Sequence, residues 1–315
     1  MSATAATKPP SQAAPSRMTL ASVARGKIVS APRALCYGPE GIGKSTFGAG
    51  APSPIFLGAE DGTGQLDVSR FPQPETWDDI LSAIAVLERE PHEYKTLVID
   101  TLDWVEPIIW AHCCERDKEK TIESYGYGKG YQVAVDEWRR FLSALERLRS
   151  VRKMGVVLLA HSQIRTFKNP EGEDFDRYEL KLHAKAGGIC KEWVDAVLFA
   201  NFETFAQKNE KTKRVKGIST GARLLYTART AAYDAKNRYS LPESMSLSWD
   251  EFAAGVAAGQ VAPVEALKAE AERKIGEVPA AVAEKARGAL ERAGDDAGKL
   301  AQLNNWLNTK IGAAS

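Results

Sequence analysis

An α/β fold on a mainly parallel sheet, with a small helical appendage at the C-terminal end, is what this 315-residue sequence predicts. Three observations lead there. The short runs Arg33 to Tyr37, Pro54 to Gly58, Thr96 to Asp100 and Gly155 to Ala160 are apolar at consecutive positions, as in strands buried on both faces. Segments of helical periodicity lie between them, the alternation that builds a parallel sheet with crossover helices. After about residue 250 the composition turns Ala-rich and charged, with few β-branched runs.

Residues 1–17 are rich in Ala, Ser, Thr and Pro, lack periodicity and are expected to be a disordered tail. The core is expected over 18–250. Its first strand runs into a Gly-rich loop, and Ser45 to Gly50 begins a helix. Residues 76–90 place Trp77, Ile80, Leu81, Ile84 and Leu87 on one helical face, and 131–150 repeat that spacing with Trp138, Phe141, Leu142, Leu145 and Leu148. Val194 to Ala200 and Arg223 to Ala228 read as further strands, and 251–315 as the helical C-terminal region.

Composition bounds the function. Hydrophobic residues are 44% and charged residues 26%, ordinary for a globular protein, and a formal net charge of +1 confines any nucleic-acid surface to a local patch. The cysteines at 36, 113, 114 and 190 form no CxxC pair and no zinc-like cluster, which points to reduced thiols and a cytoplasmic protein. No apolar run approaches the length of a membrane span.

Gly38-Pro39-Glu40-Gly41-Ile42-Gly43-Lys44-Ser45, followed by Thr46, fits the phosphate-loop pattern GxxxxGK[ST]. Glycines let backbone N–H groups converge on phosphate oxygens, Lys44 reaches the β- and γ-phosphates, and Ser45 ligates Mg²⁺. ATP and Mg²⁺ are therefore the expected cofactors. By average composition such a match arises by chance about once in a hundred chains of this length. Asp100, closing an apolar strand, suits a second Mg²⁺ contact; the alternative is a helix N-cap. Thr101 stands where some ATPases place a catalytic acid. Glu60, beside Asp61 at the end of the next strand, is the favoured group for positioning the attacking water, against a solvated loop acid.

These residues resemble the RecA family of recombinases over about residues 30–245. The stretch Gly38 to Thr46 resembles that family's phosphate loop, and Ala59 to Gly62 (AEDG) its Ala-Glu pair, which maps the catalytic glutamate to Glu60. Ser162 to Arg165 (SQIR) is similar to an Asn-Gln-Ile-Arg stretch whose glutamine, here Gln163, senses the γ-phosphate and couples it to a DNA-binding loop. Lys236-Asn237-Arg238 resembles a Lys-Asn-Lys stretch whose basic residues reach ATP on a neighbouring subunit. Ser162 and Arg238 depart from the family's Asn and Lys. The size and the stretch Gly126 to Gln132 (GYGKGYQ) look like compact RecA-like ATPases of bacteriophages, including single-strand annealing proteins. The resemblance implies a RecA-like P-loop core, a ring or filament of identical subunits with ATP between them, and action on single-stranded DNA in a bacterial host. A single-strand-binding protein is a further implied partner.

Three stretches are candidate nucleic-acid contacts. Tyr125 to Tyr131, with Tyr127 and Lys129, offers aromatic stacking or is a connector with packing tyrosines. The stretch after Gln163, read as a long loop, brings Arg165 and Lys168 but balances its bases with five acids between 171 and 179. Residues 205–238 hold nine Lys/Arg against two acids and include Arg229, a further candidate for contacting ATP in trans. His161, at the end of a central strand, either contacts the active site or is structural. Two rivals stay open: an AAA+ machine such as a helicase loader, and an assembly switch that binds ATP to engage a protein partner.

Overall fold

Along the central strands, odd and even residues bury on opposite faces. Leu35 and Tyr37, Leu97 and Ile99, and Val156 and Leu158 enter one core; Ala34 and Cys36, Val98, and Val157 and Leu159 enter the other. Continuous apolar runs are therefore the period-two alternation of a sheet with both faces covered.

The computed structural model describes residues 18–19, 22–23, 30–58, 64–208, 215–260 and 264–311. The expected tail at 1–17 and the residues Glu60 and Asp61 lie outside the described residues, as do the side chains of 205–219. In chain order the elements are β1 (Arg33–Gly38), α1 (Lys44–Ala49), β2 (Pro54–Gly58), β3 (Ser69–Arg70), α2 (Trp77–Arg89), β4 (Thr96–Asp100), α3 (Leu102–Asp117), α4 (Lys129–Arg152), β5 (Gly155–Phe167), β6 (Phe175–Leu180), α5 (Ala184–Trp193), β7 (Ala196–Lys208), β8 (Val215–Tyr226), β9 (Lys236–Asn237), β10 (Ser244–Ser246), α6 (Trp249–Gln260), α7 (Val264–Ile275), α8 (Ala280–Ala293) and α9 (Ala297–Ile311).

The sheet runs β10-β8-β7-β1-β5-β4-β2-β3, parallel from β7 to β3, with β8 and β10 antiparallel on its outer edge. The expected mainly parallel α/β core with a helical C-terminal segment is present. Helices α2, α3 and α4 cover the first face through Trp77, Ile80, Val105, Ile109, Trp138 and Phe141. Helices α1 and α6 cover the second through Phe47, Trp249, Phe252 and Val256, with the Phe47 ring 5.3 Å from Trp249. A capping box starts α2: the Thr76 hydroxyl accepts the Asp79 N–H at 3.2 Å while the Asp79 carboxylate accepts the Thr76 N–H at 2.8 Å. Helices α7–α9 bury small residues against one another, Ala271, Ala283 and Ala286 with Leu303 and Leu307.

Two elements differ from the sequence reading. Helix α3 carries Pro107, buries the carboxylate Glu106 beside Val105 and Ile109 and leaves Trp104 half exposed, so its apolar stripe is interrupted and hard to read from sequence. Strand β5 continues past Ala160, and residues 162–167 pair antiparallel with β6. The stretch after Gln163, expected as a long loop, is thus a β-hairpin followed by α5.

Helix α3 clamps the base of that hairpin. Both Glu106 oxygens accept the backbone N–H of His183 at 3.1 Å. Glu106 is 5% exposed, and burial, outweighing the His183 hydrogen bond, pushes its pKa up to about 7 from an ordinary 4.5. Between those values the folded chain holds a proton that the unfolded chain has released, so stability falls as pH rises through that window. Glu106→Gln is expected to flatten this fall, read from denaturant midpoints at pH 5 and pH 8; the same fall in both proteins would contradict it. Phe141 is fully buried with Trp77 and Trp138 rings each 5.8 Å away. Phe141→Ala should cost about 3–5 kcal/mol in chemical unfolding, and a loss below about 1 kcal/mol would show that the packing is not as described.

Candidate functional site

The chain leaves β1 at Gly38, squeezed against its neighbour strand. A Cβ there would lie 2.1 Å from the carbonyl oxygen of Ala200 on β7, so the loop can begin here only with glycine. Gly43 takes φ 109°, a left-handed conformation that turns the chain into α1. Between them Ile42 is fully buried in the second core and pins the loop from below. Lys44 is 5% exposed and folds back across the loop, its ammonium donating to the carbonyls of Gly38 at 3.2 Å and Pro39 at 3.0 Å. Those carbonyls offset the cost of burying the charge.

The Ser45 hydroxyl donates to Asp100 Oδ2 at 2.7 Å. Asp100 ends β4, two strands from β1, and is 4% exposed. A hydroxyl and a carboxylate oxygen in contact are hard donors that fit Mg²⁺, which takes few protein ligands beside phosphate and water. A pocket of about 390 Å³ opens over these groups, lined by Glu40, Gly41 and Gly43 to Thr46 of the loop and by Asp100, Thr101, His161 and Arg223. A larger groove of about 710 Å³ runs between α8 and α9 past Lys285, Arg292 and Trp306, but holds none of the motif residues.

His161 stands in the pocket wall. Asp103, in the first turn of α3, takes the His161 backbone N–H on Oδ1 and the ring Nδ1 on Oδ2, both at 2.8 Å. Burial pushes the Asp103 carboxyl up, but the ring and backbone hydrogen bonds of His161 outweigh it and bring it below the usual carboxylate range. Arg223 was not singled out by sequence reasoning. On β8, it brings a guanidinium nitrogen to 3.1 Å from where a Cβ of Gly43 would sit. Its only sequence signal was membership in the basic stretch 205–238.

Other residues singled out by sequence lie elsewhere. Gln163 does not line the pocket; its side-chain amide donates to the Leu180 carbonyl at 2.8 Å across the hairpin. Lys236 and Arg238 sit at the opposite end of the strands from the phosphate loop, beside the start of β7. The Lys236 ammonium donates to the carbonyls of Lys191, Glu192 and Val194 at the end of α5, and Arg238 contacts Asp195 at 3.2 Å. Arg229 pairs with Asp234 at 3.3 Å. Of the three tyrosines near α4, Tyr125 donates to the Cys113 carbonyl and Tyr131 stacks on His183 at 4.2 Å, while Tyr127 is fully exposed. Lys129 is exposed at the start of α4; Arg165 reaches the Leu182 carbonyl at 3.3 Å and Lys168 pairs with Asp174 on the hairpin. Lys185 donates to Gln132 at 2.9 Å, bringing the start of α4 beside the foot of the hairpin.

Among the described residues no helix is long and apolar enough to cross a membrane. No curated protein matches the chain. Among solved structures it is similar to the RadB recombinase, with 12% identity, a TM-score of 0.34, and coverage of 66% of this chain and 92% of that one, a likeness too remote to carry function. The family described as AAA domain (AAA_24) matches residues 30–239, the stretch that holds the phosphate loop, β4, β5 and the hairpin. The chain belongs to that family, and its core is an α/β P-loop ATPase fold on a mainly parallel sheet.

Proposed function

We propose that the protein hydrolyses ATP while acting on single-stranded DNA, in annealing or recombination within the cytoplasm, and that it assembles with ATP between identical subunits. One observation carries this reading. Strand β5 lines the nucleotide pocket with His161 and, within four residues, enters a hairpin that exposes Ile164 and Arg165 to solvent. A phosphate-dependent change at His161 has a direct covalent path to that surface, where Arg165, Lys168, Tyr127 and Lys129 would meet a DNA strand.

In this reading the loop amides and Lys44 bind the triphosphate. Mg²⁺, held by Ser45 and Asp100, would neutralise charge on the phosphate oxygens. Arg223 lies against the loop and would neutralise the phosphates from the same subunit. Glu60 keeps the water-activating role that the resemblance implies, and Gln163 the coupling role, acting through the hairpin base. Within the subunit Lys236 donates to three carbonyls, which it would leave for a neighbouring subunit's ATP as Lys44 would for its own, and Arg238 and Arg229, whose side chains are 56% and 65% exposed, are the further candidates for that contact.

A second reading is favoured by the family's description as an AAA domain and by the three-helix unit α7–α9 that follows the matched residues. It is an ATP-driven machine or assembly switch that engages a protein partner. Steady-state ATP hydrolysis with and without single-stranded DNA, with Lys44→Ala as the blank, separates the two. The first reading expects turnover that rises several-fold with DNA and is abolished by Lys44→Ala; turnover indifferent to DNA would leave the second standing.

A further inference from the structure

Strand β5 meets the nucleotide pocket through His161 rather than Gln163. Among the described residues His161 is the β5 residue that lines the cavity, beside Lys44, Ser45 and Asp100, and it is 6% exposed. Asp103 holds it at two points, the backbone N–H and ring Nδ1, each at 2.8 Å. An ionised carboxylate can only accept hydrogen bonds, so Nδ1 carries a ring proton, and in the neutral imidazole this leaves Nε2 as the ring's acceptor. The same second-partner logic fixes the tautomer of metal-bound histidines. A lone pair is the wrong partner for a phosphate oxygen and the right one for an O–H.

We propose that His161 Nε2 accepts a hydrogen bond from the water that attacks ATP, with Asp103 fixing the ring tautomer. His161 is then a water-positioning residue. The inference rests on the ATPase reading above. In the step, the water oxygen bonds to the γ-phosphorus and the bond from that phosphorus to the bridging oxygen breaks. The electron pair leaves on ADP, the water's proton ends on the phosphate product, and the imidazole takes no net proton. The pocket places the ring beside the residues that hold the triphosphate, so orientation is what it can supply. Position also ties the ring to the hairpin: the His161 carbonyl accepts the Lys181 N–H at 2.9 Å, directly after Leu180, which receives the Gln163 amide.

The test uses the full chain and compares His161→Ala, His161→Gln and Asp103→Asn in steady-state ATP hydrolysis, binding of a fluorescent ATP analogue and thermal melting. His161→Ala is expected to lower kcat about 100-fold with nucleotide affinity unchanged, while the lost bond to buried Asp103 lowers the melting temperature modestly. His161→Gln should recover part of that loss, because its amide oxygen can accept the same hydrogen bond. Asp103→Asn should fall as far as His161→Ala although the imidazole is present, because its amide donates to Nδ1 and leaves Nε2 protonated. Full kcat in His161→Ala or Asp103→Asn would overturn the proposal. So would parallel losses of kcat, affinity and melting temperature in all three variants, since that is a structural role. A wild-type protein that binds the analogue but hydrolyses no ATP would instead sink the ATPase reading itself.

Discussion

A carboxylate buried at the end of an apolar strand needs a partner, and Asp100 finds Ser45. At 4% exposure the charge has little water to stabilise it, and an unpaired carboxylate in such a place would be driven toward its neutral form. The Ser45 hydroxyl at 2.7 Å answers that cost. Because β4 and β1 are separated by β5, the contact spans three strands and ties the phosphate loop to the sheet at a second point. The first point is Ile42 beneath the loop. With both fixed, the glycines on either side can take conformations and approaches that no other residue tolerates, and the loop stays open to solvent above.

The same requirement organises the rest of that end of the strands. Lys44 is answered by loop carbonyls, His161 by Asp103, and Glu106 by the backbone of His183. Each is a buried polar group whose partner lies on a different element, and together they join β1, β4, β5, α3 and the foot of the hairpin. At the opposite end of the strands the polar groups pair for architecture. Arg33 bridges Asp195 and Glu146, and Lys236 caps α5. Parallel strands sort chemistry this way because every strand end that can carry a loop into a shared pocket lies on one side.

Much of the fold was legible because it is written in short-range patterns. The runs Pro54–Gly58 and Thr96–Asp100 are strands with the bounds their apolar residues suggested. The phosphate loop was legible for the same reason, since eight consecutive residues carry its chemistry. Helix α3 was not, because Pro107, the buried Glu106 and the half-exposed Trp104 interrupt its apolar stripe. The hairpin was hidden by balanced charges that read as a loop. Arg223 and Asp103 enter the site from elements far from the loop in sequence, and no local pattern announces such a meeting. Lys236 shows another contact that no local pattern announces: within the subunit it donates to three carbonyls at the end of α5.

The claim at the centre of this account is that the Lys44, Ser45 and Asp100 cluster is a nucleotide–Mg²⁺ site held ready by its own internal hydrogen bonds. A crystal structure with Mg²⁺ and a non-hydrolysable ATP analogue tests it most directly. The account predicts that Lys44 leaves the Gly38 and Pro39 carbonyls for the phosphates, and that the metal comes between Ser45 and Asp100 while β4 and the loop backbone stay in place. A nucleotide bound elsewhere, or Lys44 and Ser45 keeping their present partners with nucleotide bound, would contradict it.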